Sequence, residues 1–261
     1  MDILTKIVTD KRVEVNLRKQ LIPITQLEQS ILFKRETISL AKKLQDSSTG
    51  IIAEHKRRSP SKQVINHNLN VYDVARGYEN AGVCGMSVLT DGKYFGGSLD
   101  DLLTARSSCN LPLLRKEFII DEYQILEAKA YGADVILLIA AILTKNEIKQ
   151  FSELAKQLRL DVLLEVHNEE ELHKSIMPSI DMLGVNNRNL KTFEVSLDTS
   201  KQLSELIPND FVKVSESGIS SVEAIQILQP YGYKGFLIGE NFMKTDNPGE
   251  SATQFIKDLQ L

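Results

Sequence analysis

The sequence is poor in several features that would point to particular classes of protein. Its 261 residues include only two cysteines, Cys84 and Cys109, which have no metal-ligand spacing and form no disulfide framework. No apolar run reaches the roughly 18 residues of a membrane span. The net charge is −4, so the chain has no overall basic character for nucleic acid. We expect no membrane or nucleic-acid partner, and the few cysteines fit the reducing cytoplasm.

Several motifs are also missing. The start, MDILTKIVTDKRVEV, carries charges within its first ten residues and has no apolar h-region, so we expect no secretory signal. Nothing resembles a Walker loop or a Ser–His–Asp triad. The composition, 42% hydrophobic and 25% charged, is ordinary for a soluble globular protein. The length suits one α/β barrel or two smaller domains.

The first 49 residues differ from the rest. Apolar residues recur at near-helical spacing between Ile3 and Leu17, which predicts an amphipathic helix over DILTKIVTDKRVEVNLRKQL. Pro23 precedes a second predicted helix, ITQLEQSILF, and ISLAKKLQD follows as a third. We therefore predict a helical N-terminal extension over residues 1–49 and a barrel over residues 50–261.

Beyond Gly50, short apolar runs rich in Val, Ile and Leu recur along the chain. Each is too short for a helix, and most are near-continuous, as in strands that are covered on both faces. The eight runs are GIIAE (50–54), GMSVLT (85–90), LPLLRKEF (111–118), DVILLIA (134–140), DVLLEV (161–166), MLGVNN (182–187), FVKVSE (211–216) and GFLIG (235–239).

Helical segments with recognisable ends separate these runs. Thr144, Asn168 and Ser220 each precede an acidic residue three positions later, as helix N-caps often do, and Gly82 follows a predicted helix as a stop signal. Alternating strands and helices indicate parallel pairing through right-handed crossovers. Eight units close a (β/α)8 TIM barrel, whereas an open doubly wound sheet usually has a G-x-G-x-x-G after its first strand. We predict one α/β barrel domain over residues 1–261.

Polar residues collect at the C-terminal ends of the predicted strands, where such barrels carry their active sites. Because residues two apart on a strand share a face, Glu54 and Lys56 should both face the barrel mouth, with His55 turned away. The other predicted pairs are Lys116 with Phe118 and Asn186 with Arg188. Glu117, between Lys116 and Phe118, should face the surrounding helices or loops. The full polar set is Glu54, Lys56, Asp91, Lys116, Glu165, Asn186, Arg188, Glu216 and Ser217.

Two glycine-containing stretches suggest a phosphate site. Ser217-Gly218-Ile219-Ser220 follows the seventh run, and Gly239-Glu240-Asn241 follows the eighth. Backbone N–H groups beside glycine can approach an anion closely, and the loops after strands seven and eight are the usual phosphate position in these barrels. The Glu240 N–H could donate while its carboxylate points away.

Lysines and glutamates that converge on one mouth suit acid–base chemistry. A lysine near other cations, or partly desolvated, is expected to have a lowered pKa, and a glutamate in an apolar mouth a raised one. His167 lies two residues beyond Glu165, but no second histidine is placed to join it, so we expect no metal. Four apolar residues would suit an aromatic ligand, although core packing explains them equally well: Phe95, Phe118, Leu137 and Leu190.

These stretches resemble the indole-3-glycerol phosphate synthases of tryptophan biosynthesis. The resemblance spans nearly the whole chain, and its most specific motifs are A-E-x-K-R-x-S-P-S, N-N-R-N-L and S-E-S-G-I. DILTKIVTDKRVEV is similar to the N-terminal helix of the family. The other matching stretches are IIAEHKRRSPS, SVLTDGKYFGGS, LPLLRKEFIID, GADVILLIAAIL, LLEVHNEEE, LGVNNRNLKTFEV, VSESGIS and FLIGENFM.

The resemblance implies a carboxy-lyase that converts 1-(2-carboxyphenylamino)-1-deoxyribulose 5-phosphate to indole-3-glycerol phosphate, CO2 and water, without cofactor or metal. Lys116 would be the general acid at the substrate carbonyl, Glu165 the acid/base partner in dehydration, and Lys56 a carboxylate or proton-transfer group. Glu54 and Asn186 would orient the reacting groups, and Glu216 would support a cationic intermediate. Arg188 and Ser217 would bind the substrate, and the residues that bind its phosphate would be Ser59, Gly218, Gly239 and Glu240. The residues on either side of its aromatic ring would be Pro60, Phe95, Phe118, Leu137 and Leu190.

Three positions depart from the pattern of the family. His55 replaces an apolar or aromatic residue, Gln63 stands where glycine is common and would stiffen the first loop, and Glu240 replaces a small residue of some relatives. None of them is an implied proton-transfer group.

Two other functions remain open. A phosphoribosylanthranilate isomerase would use a cysteine and an aspartate, but Cys84 lies early in the second run and Cys109 in a loop. A catalytically inactive scaffold would not need the implied catalytic set. We expect a phosphorylated small molecule as the binding partner, and a monomer or weak homo-oligomer.

Overall fold

The computed structural model describes residues 3–190 and 192–261, which form a closed barrel of eight parallel strands with β8 paired to β1. The strands are β1 (Ile51–His55), β2 (Gly85–Leu89), β3 (Leu113–Lys116), β4 (Val135–Ile139), β5 (Asp161–Val166), β6 (Met182–Asn186), β7 (Val212–Glu216) and β8 (Tyr233–Ile238). The helices are α1 (Ile3–Leu21), α2 (Ile24–Glu28), α3 (Leu40–Asp46), α4 (Val71–Ala81), α5 (Gly92–Phe95), α6 (Leu99–Ser108), α7 (Glu122–Ala130), α8 (Lys145–Gln157), α9 (Glu169–Ser175), α10 (Asp198–Ser204), α11 (Val222–Leu228), α12 (Glu240–Met243) and α13 (Pro248–Leu259).

The predicted (β/α)8 barrel is confirmed, and each of the eight apolar runs overlaps one strand. Strand β1 extends one residue beyond its run, and β8 begins two residues before its run. The runs are near-continuous because both faces of the strands are buried. One face fills the barrel interior, with residues such as Ile52, Leu163 and Val214, and the other packs under the helices, with residues such as Ala53 and Leu164. Within the described residues, no helix has the length and apolarity to cross a membrane.

The helix boundaries follow most of the sequence signals. Thr144 and Glu147 form a reciprocal capping box at α8, and Asn168 accepts a hydrogen bond from the Glu171 N–H at the start of α9. Gly82 ends α4 in the left-handed conformation. The predicted cap at Ser220 is wrong, because Ser221 precedes α11 and its side chain makes no capping hydrogen bond.

The N-terminal extension crosses the barrel from its mouth to its base. Helix α1 lies at the mouth, and its first turns line the central cavity. The predicted second helix divides into α2 and a 3-10 turn over Ile31–Lys34, and both pieces pack against α7. Helix α3 closes the base with the fully buried Leu40 and Leu44. The predicted first helix also includes residue 2, which lies outside the described residues.

A buried lysine fixes α1 at the mouth. Lys11 lies between Ile7 and Val15 on the buried stripe of α1 and is 2% exposed. Its Nζ is 2.9 Å from Asp91 Oδ2 and 3.1 Å from Glu117 Oε1. Burial lowers the pKa of Lys11, but these carboxylates outweigh burial and raise it above its ordinary value. The extension is therefore held to β2 and β3 by charge as well as by apolar packing.

Candidate active site

A cavity of about 440 Å³ opens at the C-terminal ends of the strands. This is the end at which (β/α)8 barrels carry their active sites, and the volume is typical of a small-molecule site. Of the predicted site residues, all except Asp91 line this cavity. They are Glu54, Lys56, Ser59, Pro60, Phe95, Lys116, Phe118, Leu137, Glu165, Asn186, Arg188, Leu190, Glu216, Ser217, Gly218, Gly239 and Glu240. Their individual roles remain predictions.

Two lysines and three glutamates form the charged centre. Lys116, at the end of β3, donates a hydrogen bond to Glu216 of β7, and its Nζ is 3.5 Å from Glu165 Oε2 of β5. Lys56 Nζ is 2.8 Å from Glu54 Oε1, so the predicted shared face of these two residues is observed. The ends of non-adjacent strands thus meet across the mouth.

The expectation of a lysine with a lowered pKa is wrong for Lys116. Burial alone would lower the pKa of its ammonium group. Glu216, Glu165 and Glu54 outweigh burial, and they raise the pKa of Lys116 above its ordinary value. The neighbours of Lys116 are carboxylates rather than other cations. Before substrate binds, Lys116 is therefore a protonated ammonium group that can donate a proton.

The glutamates of the centre differ in acidity. Burial raises the pKa of Glu216 to about 7, with Glu165 adding to the rise and Lys116 opposing it. Burial also raises the pKa of Glu54, but Lys56 and Lys116 outweigh burial and hold it below its ordinary value. Glu216 is therefore the carboxyl group suited to gain or lose a proton near neutral pH.

Glycines on neighbouring strands make room for these carboxylates. A Cβ at Gly184 of β6 would collide with Glu216 Oε1. A Cβ at Gly239 would stand 2.5 Å from Glu54 Oε1. Larger residues at either position would displace a glutamate from the centre.

An apolar wall lies beside the charged centre. The rings of Phe95 and Phe118 are 5.9 Å apart at 40°, and Leu137 and Leu190 also line the cavity. Phe95 is placed by Asp91, whose carboxylate caps α5 through the N–H groups of Tyr94 and Phe95. A flat aromatic group would find its packing surface here.

The loops after β7 and β8 form another side of the cavity. Ser217 and Gly218 both have positive φ, 66° and 78°, so the chain turns sharply as it leaves β7. Glu240, after β8, forms an ion pair of 2.6 Å with Lys62 of the loop that follows β1. The Glu240 carboxylate is thereby held by the β1 loop.

Residues of the opposite parity turn away from the centre. Glu117 directs its carboxylate to Lys11 and Thr90. The prediction of Asp91 at the mouth is wrong, because its carboxylate pairs with Lys11 of α1 and does not line the cavity. His55 is 1% exposed and does not line the cavity. Burial and the nearby Arg57 lower the pKa of His55 to about 4, so the ring is neutral at pH 7.

We predict that His55 makes stability depend on pH. The native state resists protonating this ring between about pH 6.5 and about pH 4, whereas the unfolded chain takes up the proton, so stability falls as pH falls through that range. The difference in pKa corresponds to about 3 kcal/mol. Urea unfolding of wild type and His55→Asn across this range should show a steeper loss in wild type, with the exposed His173→Asn as control. Equal pH slopes in wild type and His55→Asn would refute the prediction.

Three features of the mouth were not predicted from the sequence: the apolar residues of α1, the buried Lys11 and the pairing of His167. Ile3, Leu4 and Ile7 of α1 line the cavity, although only their helical spacing was visible beforehand. Lys11 could have been found as a charge within an apolar stripe. The pairing of His167 with both Glu165 and Glu171 had no signal in the sequence beyond their proximity along the chain.

Among the described residues, we looked for metal ligands and for a cysteine at the cavity. They contain no group of three or more His, Cys, Asp or Glu side chains that could hold a metal ion. Cys84 and Cys109 are both buried and free, and neither lines the cavity. This placement does not provide the cysteine that an isomerase of the rival class would use.

Sequence comparison gives one consistent family. A model of the indole-3-glycerol phosphate synthase family matches residues 4–259. An indole-3-glycerol phosphate synthase of Bacteroides thetaiotaomicron is 48% identical over 259 residues, covering 99% of each chain. The enzymes of the same name from Polynucleobacter necessarius and Acinetobacter baylyi are 40% and 42% identical, covering 97% of this chain and 98% and 94% of their own.

Solved structures of low sequence identity share the fold. KGPDC from Streptococcus mutans has a TM-score of 0.61 at 14% identity, covering 81% of this chain and 97% of its own. Thiamine phosphate pyrophosphorylase from Pyrococcus furiosus has a TM-score of 0.61 at 16% identity, covering 85% and 98%. At these identities the similarity concerns the fold alone.

Proposed function

Because the chain belongs to the indole-3-glycerol phosphate synthase family, we propose that it closes the indole ring of 1-(2-carboxyphenylamino)-1-deoxyribulose 5-phosphate. The products are indole-3-glycerol phosphate, CO2 and water, and the enzyme is a carboxy-lyase of tryptophan biosynthesis. The observation that carries the proposal is the charged centre, in which Lys116 meets Glu165 and Glu216 beside an apolar wall.

The ring-closing step needs a protonated carbonyl and an aromatic carbon held above it. Phe95, Phe118 and Leu137 would hold the aromatic ring, and Lys116 would give a proton to the carbonyl oxygen as the carbon–carbon bond forms. The ammonium also stabilises negative charge that develops on that oxygen. Because three carboxylates keep Lys116 charged, the donor is ready before the substrate arrives.

Decarboxylation and dehydration complete the reaction. Loss of CO2 leaves its bonding electrons in the ring system. The new hydroxyl then departs as water while the adjacent carbon gives one proton to the neutral Lys116 amine, which forms the aromatic five-membered ring and restores the Lys116 ammonium. Glu165 would protonate that hydroxyl, a role supported by its contact with Lys116. Glu54 would orient Lys56, with which it is paired, toward the substrate carboxylate.

The remaining parts of the substrate have candidate sites. Ser59, Gly218, Gly239 and the Glu240 backbone would take the phosphate at the loops after β7 and β8. Arg188 and Ser217 would contact the rest of the substrate, and Asn186 would orient its hydroxyls.

We further propose a cytoplasmic location, one domain over residues 1–261 and a monomer or weak homo-oligomer. Two buried free cysteines support the location, since a reducing compartment keeps thiols unpaired. The single domain is supported by α1 and α3, which pack against the two ends of the barrel.

The proposal is tested with purified protein and the carboxyphenylamino substrate. Fluorescence of the indole ring should rise with time, and the product should carry the mass of indole-3-glycerol phosphate. Incubation with phosphoribosylanthranilate tests the isomerase alternative in parallel. Absence of indole product from folded protein would refute the proposed function, whatever the second assay shows.

A further inference from the structure

The proposed reaction consumes one proton in each turnover. The substrate enters with an ionised aromatic carboxylate that leaves as neutral CO2, and the carbonyl oxygen leaves as water, so one proton must come from solvent. Lys116 and Glu165 are only 14% and 6% exposed even without substrate. A bound substrate in the same mouth would cover them further. The site therefore needs a route by which protons reach the acid–base groups.

His167 lies directly behind Glu165. Its Nε2 faces Glu165 Oε1 at 3.4 Å and has no hydrogen-bond partner within the described part of the chain. On the other side of the ring, Nδ1 lies 3.1 Å from Glu171 Oε2. The imidazole thus bridges a carboxylate of the charged centre and a carboxylate outside it.

A second cavity, of about 790 Å³, lies on the far side of this bridge. His167, Asn168 and Glu171 line it, whereas Glu165 lines the first cavity. Both cavities are lined by the same four residues, which form a common wall: Leu4, Asn186, Arg188 and Leu190. Water in the second cavity would reach the imidazole without passing the substrate.

The start of α9 holds the bridge in place. Glu171 Oε2 accepts the backbone N–H of His167 at 2.8 Å, and Glu171 Oε1 accepts from Asn168 Nδ2 at 3.0 Å. Asn168 in turn caps the helix by accepting from the Glu171 N–H. The orientation of the ring is therefore set by a helix cap.

We propose that His167 is a positioning residue that orients Glu165 and returns solvent protons to it, an inference that rests on the proposed function. After Glu165 has given its proton to the departing hydroxyl, the imidazolium passes its Nε2 proton to the Glu165 carboxylate and becomes a neutral ring. The ring then turns its vacant nitrogen toward the second cavity, where a hydronium ion returns one proton to that nitrogen and leaves as water. The net transfer is one proton from solvent to Glu165, which matches the proton that the reaction consumes.

The charges around His167 favour this exchange. The ring is faced by Glu165 of β5, Glu171 of α9 and Glu216 of β7, while Lys116 lies beyond Glu165 and Arg188 lines the second cavity. Burial lowers the pKa of His167, but its bond to Glu171 and the surrounding carboxylates outweigh burial and raise the pKa above its ordinary value. The imidazolium form is thereby favoured near neutral pH, where a proton donor is needed.

The test compares kcat and KM of wild type and His167→Ala from about pH 6 to about pH 9. We expect kcat of the variant to fall by about 10-fold or more, with KM within about 2-fold, and the deficit to grow as pH rises. Free imidazole should restore part of kcat through the second cavity. The rescue should be larger at low pH, where imidazole is more often protonated. A purely structural defect would not respond to imidazole in this way.

Two further variants complete the test. His173→Ala, on the same segment but 62% exposed, should match wild type at every pH. His167→Asn keeps a hydrogen-bond donor for Glu171 but has no titratable nitrogen, so it should show the same kcat deficit. This variant provides the test if His167→Ala does not fold. A kcat within about 2-fold of wild type in His167→Asn, or a deficit in His167→Ala that imidazole does not reduce, would overturn the inference. Failure of wild type to form any indole would instead refute the proposed function.

Discussion

Replacing Lys116 by Met should lower kcat of indole formation by about 1000-fold, with KM changed far less. Lys116 is the ammonium that meets both Glu165 and Glu216, and methionine of similar length can neither donate a proton nor stabilise charge on the carbonyl oxygen. The loss should therefore appear in the chemical step rather than in substrate binding. Steady-state fluorescence kinetics with binding measured separately would separate the two effects.

The melting temperature of Lys116→Met should stay close to that of wild type. Removing the ammonium leaves Glu216 beside Glu165 without their cation, but the pKa of Glu216 is already about 7 and will rise further. Glu216 then takes up a proton, so the centre does not retain an unpaired charge. Catalytic groups often cost stability, so such a variant can be as stable as wild type.

Two control variants define what Lys116 does. Lys116→Arg keeps the positive charge but holds its proton too tightly to act as an acid, so it should also be strongly impaired. Lys201→Met removes a lysine of α10 that lies outside the cavity and should behave as wild type. Turnover of Lys116→Met near the wild-type rate would remove Lys116 from the acid role.

Asp134→Asn should lower the free energy of unfolding by about 3–5 kcal/mol. Asp134 is fully buried at the start of β4, and its Oδ1 accepts from Arg35 Nη2 at 2.6 Å and from the Ile38 N–H at 2.8 Å. Its Oδ2 accepts from Arg106 Nη1 and the Leu113 N–H, both at 2.9 Å. An asparagine NH2 would face two of these donors and leave Arg35 and Arg106 without the counter-charge of a buried carboxylate.

Thermal and urea unfolding would measure this effect. A loss of this size corresponds to a fall in melting temperature of roughly 10 °C for a chain of this length. Asp198→Asn is the matched control, because Asp198 forms an exposed ion pair with Lys201 whose contribution should be under about 1 kcal/mol. Equal melting temperatures for Asp134→Asn and Asp198→Asn would show that the buried cluster contributes little.

The physical reason for a large effect is the position of Asp134 between two parts of the fold. Arg35 and Ile38 belong to the N-terminal extension, whereas Arg106 belongs to α6 and Leu113 begins β3. One carboxylate therefore joins the extension to the base of the barrel. Loss of this carboxylate should remove the ion pairs and also weaken the attachment of α3, which closes that base.

Much of the site could be predicted because strand geometry is local. The alternation of side chains along β1 places Glu54 and Lys56 on one face and His55 on the other, whatever the neighbouring strands are. Parallel strands also send all their C-terminal ends to one mouth. The apolar runs, the strand count and the strand-end residues therefore determined the fold and the polar strand ends around the cavity.

The errors arose where the outcome depends on which side chains meet. The strand count does not say that Lys116 of β3 will contact Glu216 of β7 rather than another lysine, and this contact reverses the direction of its pKa change. Likewise, a cap at Ser220 was reasonable from spacing alone. The turn at Ser217 and Gly218 leads into a helix that begins after Ser221 instead.

By itself, the sequence determined the eight strands, the closed barrel, the helical extension and the cluster of polar strand ends. The tertiary structure alone decided that Lys11 fastens α1 to the mouth, that Asp134 joins the extension to the base, and that His167 bridges Glu165 to a second cavity. The reason is physical. Backbone periodicity fixes the direction of a side chain from its own segment, whereas ion pairs, burial and pKa depend on groups that only barrel closure brings together.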